Sequence, residues 1–146
     1  MRLSATDNFM RRSTMKRDWE LIRELLLQIE ALEAGHHFYP QAVGEHCAEA
    51  VSYHIHLMCQ ANLIECSQHH PWNGAPVAIV SGLTLTGHDL LDGIREASLW
   101  EAKKTFLQAR AGGITYEGLK NAPTADSMLF AANRGAGEGH NGRLYN

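Results

Sequence analysis

Apolar residues recur at helical spacing over residues 18–34, where Trp19, Ile22, Leu25, Leu26, Ile29 and Leu32 fall on one stripe. A stripe of that period marks an amphipathic helix that buries one face. Asp18 stands where a side-chain oxygen would cap the helix's first free N–H groups, and Gly35 where a helix would stop. Residues 36–40 read as a connector. Residues 41–47 make a short helix at best, because Gly44 weakens it. A second strong helix is predicted over 49–61. Val51, Ile55 and Met58 share one of its faces, and Ser52, Tyr53, His56 and Gln60 share the opposite one. His54 lies close to the apolar face, which predicts a core histidine bonded to backbone. Asn62 follows, one of the few non-glycine residues that tolerates a left-handed turn.

The pattern then changes. Residues 63–68 and 77–85 are strand candidates. Between them, His69-His70-Pro71-Trp72-Asn73-Gly74 carries the proline and Asn-Gly signals of a hairpin tip. Thr86, with Asp89 three residues later, predicts the next helix start. Ser98-Leu99-Trp100-Glu101 reads as a capping box that starts another helix, which runs to about Ala111 and stops at Gly112-Gly113. Residues 115 to about 130 read as helical with an interruption at Pro123. The order is that of a winged helix-turn-helix with a β-hairpin wing and flanking N- and C-terminal helices, an α+β fold that is mostly α. The expected organisation is a flexible extension over 1–14, with Met15 a candidate start of the domain. A winged-helix domain follows over 15–97. Residues 98–131 form a helical extension that packs on that domain or makes a homodimer, and 132–146 a glycine-rich flexible tail.

Composition narrows this without redirecting it. A chain of 146 residues with 45% hydrophobic and 20% charged residues can bury one ordinary core. No apolar run approaches the roughly 20 residues needed to span a bilayer. Residues 1–14 lack the apolar centre of a secretory signal. Three cysteines without Cys-x-x-Cys spacing point to reduced thiols in a cytoplasmic protein.

Charge changes the picture more. The net charge of -3 hides a partition: residues 24–94 contain eight carboxylates, eight of the nine histidines, and no lysine or arginine. Neutralising phosphates supplies most non-specific affinity for nucleic acid. The gap therefore counts against a broad DNA-binding face made by the middle of a single chain.

Two stretches carry a resemblance. The run Val51-Ser52-Tyr53-His54-Ile55-His56-Leu57-Met58-Cys59-Gln60-Ala61-Asn62-Leu63-Ile64-Glu65 resembles the second helix and following strand of bacterial winged-helix regulators of the arsenic-repressor and multiple-antibiotic-resistance type, with Asn62 in place of their glycine. Leu83-Thr84-Leu85-Thr86-Gly87-His88 resembles the strand-to-helix step after the wing in the same group. Residues 15 to about 130 also resemble a bacterial and prophage family known only as a domain of unknown function. The marks are the Met15-Lys16-Arg17-Asp18-Trp19 start, Tyr53-His54, Leu63-Ile64, the run from Leu83 to Asp92, and the Trp100 helix. This resemblance implies a winged-helix-like fold and a bacterial or phage origin, and brings no catalytic residue.

Several chemistries are weighed on these residues. Glu49, Ser52, Tyr53, His56 and Gln60 form the candidate partner- or DNA-facing side of the second helix, and His69, His70, Trp72 and Asn73 the candidate wing. Phosphate contacts would come from Arg17, Arg95, Lys103 and Lys104, with Arg11, Arg12, Lys16 and Arg110 as further sources. A metal sensor would use thiolates and imidazoles such as Cys66, His69 and His70, but no pair has strong ligand spacing. No nucleophile elbow, His-Glu-x-x-His, phosphate loop or dinucleotide fingerprint occurs. The expectation is a non-enzymatic module without metal or cofactor. It would bind an unidentified protein through an acidic, histidine-rich face, in a phage accessory or anti-defence role. The alternative is a dimeric regulator binding double-stranded DNA, with a metal- or pH-responsive sensor third. No membrane association is expected.

Overall fold

The computed structural model describes residues 15–72, 74 and 77–123. Among them are five helices and one two-stranded antiparallel hairpin: α1 (Trp19–Glu30), α2 (Ala48–Gln60), β1 (Ile64–His69), β2 (Val77–Leu83), α3 (Leu85–Ile94), α4 (Ala97–Ala111) and α5 (Tyr116–Asn121). The chain forms two compact units, Met1–Leu91 and Asp92–Asn146. The expected extension over 1–14, the helix beyond Pro123 and the tail lie outside the described residues.

In the first unit the apolar stripe of α1 is buried through Leu21, Ile22, Leu25, Leu26 and Ile29. Asp18 caps the helix, its Oδ1 accepting from the N–H groups of Glu20 and Leu21. The helix ends at Glu30, four residues short of the predicted end, and Gly35 sits in a separate turn. A long-range contact competes with further helix. Phe38 is buried and exchanges both backbone hydrogen bonds with Val80, at 2.8 and 3.0 Å. Residues 41–47 are not helical. Val43 and His46 instead close a tight turn with reciprocal bonds of 3.0 and 2.8 Å, Gly44 lying within it.

α2 buries Val51, His54, Ile55 and Met58. Asn62 then adopts φ 60, and the chain reverses into β1. β1 and β2 pair from Ile64↔Leu83 to His69↔Val77, with a bulge between Glu65 and Cys66. α1 packs on α2 and β2, and α2 packs on both strands. Each apolar side chain buried in this layer contributes about 1.5–3 kcal/mol relative to exposure.

The start of α3 differs from expectation. Thr84, not Thr86, is the capping residue. Its Oγ1 accepts from the N–H of Gly87 at 3.0 Å and donates to the carbonyl of Asn62 at 2.6 Å. A hydroxyl that can do both outcompetes one two residues on that makes neither bond.

In the second unit, α4 begins at Ala97 after Glu96, so Ser98 lies inside the first turn and is not the cap. Trp100, Lys103 and Leu107 form its buried stripe. Gly112 ends α4 in the left-handed conformation, φ 76. α5 opens on Thr115, whose hydroxyl accepts from the N–H of Gly118. Gly118 faces Leu107 so closely that an added Cβ would stand 3.3 Å from its methyl. No described helix is long and apolar enough to cross a membrane.

Candidate binding face

α2 presents the residues singled out by its helical pattern. Glu49, Ser52, His56 and Gln60 are exposed, and Tyr53 is half-buried. The ring of Tyr53 meets that of His54 edge-on, with centroids 5.6 Å apart. His54 is turned inward, and the N–H of Asp18 donates to its Nε2 at 2.8 Å. That bond fixes Nε2 as an acceptor, so the proton resides on Nδ1, which donates to the carbonyl of Ala50 at 2.8 Å. The first capping residue of α1 is thereby tied to the middle of α2.

The hairpin carries the second group. Ser67, Gln68, His69 and His70 are exposed, and Trp72 is 96% exposed. Asn73 lies outside the described residues. An indole left in water is a recognised anchor for a partner surface. Two exposed apolar positions escaped the sequence reading: Tyr39 in the connector and Leu85 at the first position of α3. The only signal for either was its distance from any periodic stripe.

The cations lie outside this face in sequence. Between residues 24 and 94 there is no lysine or arginine. In the first unit the guanidinium of Arg17 lies over the ring of Trp19 at 5.2 Å. In the second, Arg95 bonds Asp92 at 2.8 Å, and Lys104 pairs with Glu101 at 3.0 Å while lying over Trp100. Arg110 and Lys120 lie over Phe106 and Tyr116. Arg17, Arg95 and Lys104 are thus each already engaged by a neighbouring ring or carboxylate. Lys103 is buried instead. It is 7% exposed, an added Cβ at Gly93 would stand 2.9 Å from its ammonium, and desolvation by burial lowers its pKa from 10.5. The signal was present in the sequence, since 100, 103 and 107 share one helical stripe.

The thiols also depart from expectation. A disulfide joins Cys59 to Cys66, and only Cys47 is a free thiol. The reversal at Asn62 lays the last turn of α2 beside the first residues of β1, a proximity that spacing in sequence does not reveal. While that bond is closed, Cys66 is not available to a metal with His69 and His70. Among the described residues no group of three or more His, Cys, Asp or Glu side chains is placed to hold an ion.

The residues that carried the family resemblance are joints. Asp18 and His54 connect α1 to α2. Thr84 connects the start of α3 to the turn after α2. Gly87 passes so close to the carbonyl of Leu63 that no Cβ fits.

This is a small α+β protein, mostly helical, built around a two-stranded antiparallel hairpin. A family described as "Hypothetical protein (DUF2513)" matches residues 16–114, and the chain belongs to that family. An uncharacterized protein of Haemophilus influenzae is 35% identical over 119 residues, covering 80% of this chain and 100% of the relative. No solved structure matches.

Proposed function

We propose that the chain is a winged-helix-like module that binds another protein through the outward face of α2 and the β1–β2 hairpin. The order of elements supports the winged-helix reading. α1 is followed by the bridge at Phe38, a tight turn, α2, the hairpin and α3. One observation carries the protein-binding reading: Trp72 is almost wholly exposed within a 71-residue stretch that holds no lysine or arginine. A face so composed lacks the charge that attracts phosphate but offers an aromatic anchor and hydrogen-bonding side chains.

A second reading is a dimeric DNA-binding regulator. Ser52, His56 and Gln60 are exposed on α2 and can hydrogen-bond base edges, glutamine pairing well with adenine. Every phosphate contact would then come from lysines and arginines outside residues 24–94.

One experiment separates the two. The full chain and its W72A variant are used as bait in a bacterial lysate, beside a salt titration of random-duplex binding. A protein captured in stoichiometric amount by the first and lost with the second supports the proposal. Duplex binding in the micromolar range with a steep salt slope, undisturbed by W72A, overturns it in favour of the regulator.

A further inference from the structure

We propose that Cys59 and Cys66 form a reversible, redox-sensitive clamp on the C-terminal turn of α2. The inference does not depend on what α2 binds. Cys59 lies in the last turn of α2 and Cys66 at the bulge of β1, with Cα atoms 6.6 Å apart, inside the range a disulfide spans. Both residues are half-buried rather than sealed in the core.

The turn between them is held independently of the bond. The N–H of Asn62 donates to the carbonyl of Cys59, that of Leu63 to Met58 at 2.9 Å, and that of Thr84 to Leu63 at 3.0 Å. Thr84 Oγ1 adds its bond to Asn62. The reduced chain therefore keeps the two thiols near each other, which is the condition for rapid closing. Opening the bond removes a restraint and leaves the fold. Exposed His56 and Gln60 flank Cys59 on the same helix, so the clamp bears on how firmly that part of the α2 face is held.

Closing takes place by thiol–disulfide exchange with a low-molecular-weight disulfide such as oxidised glutathione. One cysteine, as its thiolate, attacks a glutathione sulfur. The glutathione S–S bond breaks, and the first glutathione leaves as a thiolate and takes up a proton. The second cysteine thiolate then attacks the protein-side sulfur of the mixed disulfide, forms the Cys59–Cys66 bond and expels the second glutathione. Two protein thiols are oxidised, and one glutathione disulfide is reduced to two thiols.

The test equilibrates the full chain in glutathione buffers of graded ratio, traps it with alkylating agent, and reads intact mass, peptide mass and amide exchange. The expected result is a loss of two hydrogens at the 59–66 pair, with Cys47 still alkylated. The transition should follow the squared concentration of reduced glutathione divided by the concentration of oxidised glutathione. Amide exchange over 57–66 should slow by about tenfold on closing, with the rest of the first unit unchanged. C59S and C66S should each abolish both effects, and C47S neither. The proposal is overturned if only mixed disulfides form, if exchange over 57–66 is the same in both states, or if reduction by excess dithiothreitol unfolds the chain.

Discussion

The backbone N–H of Asp18 donates to Nε2 of His54 across 36 residues of chain, and Nδ1 of the same ring donates to the carbonyl of Ala50. One imidazole thus satisfies the cap of α1 and a carbonyl of α2 at once, in a buried position. Replacing it with Ala leaves a cavity and an unmet N–H. H54A is expected to lose about 2–4 kcal/mol of stability in urea unfolding. A loss under about 0.5 kcal/mol would show that the ring is not holding the two helices together.

Gly87 gives a sharper steric test. An added Cβ there meets the carbonyl of Leu63, which already accepts from Thr84. G87A is expected to cost at least about 2 kcal/mol. At Gly82 in β2 an added Cβ meets nothing within 4 Å. G82A should stay within about 1 kcal/mol of the parent. Equal midpoints for the two variants would refute the contact.

Lys103 sets a pH dependence. Desolvation lowers its folded pKa below 10.5, so the unfolded chain holds the proton more tightly. The charged ammonium then costs stability at neutral pH, in full below the lowered pKa. The cost is relieved as pH rises from that pKa toward 10.5. K103M keeps the apolar stem and should be more stable than the parent at pH 7, with the gap closing as pH climbs. Thermal unfolding of both proteins across pH 7 to about 10 checks it. A gap constant with pH would assign the effect to packing alone.

Trp72 separates binding from folding. At 96% exposure it contributes little to stability, so W72A should unfold within about 0.5 kcal/mol of the parent. The same change should weaken capture of a protein partner by at least about tenfold if the indole is an anchor. Retained capture would remove the hairpin from the interface.

How much of this was legible depended on the range of the interaction. α1, α2 and the hairpin follow from periodicity, and Asp18 and Asn62 from local backbone chemistry, so all were readable from neighbours in sequence. Thr84 prevails over Thr86 as the cap through its bond to Asn62, 22 residues away, which no local pattern displays. The early end of α1 traces to Phe38 reaching Val80, and the Cys59–Cys66 pairing to a reversal followed by a bulge. The buried side of α2, with Val51, Ile55 and Met58, is legible because burial on a helix is a local pattern. What meets its outward face is a property of another molecule, and the pattern holds no record of it.

The bridge between Phe38 and Val80 also decides how the sheet ends. With β1 on one side and Phe38 on the other, Val80 has no open hydrogen-bonding flank to offer a stray strand. Among the described residues β1 forms the opposite border, which is short, bulged, and lined by Glu65, Ser67, Gln68 and His69. Such a border is a poor template for growth by added strands. A hairpin that displays a bare indole can thus remain resistant to aggregation.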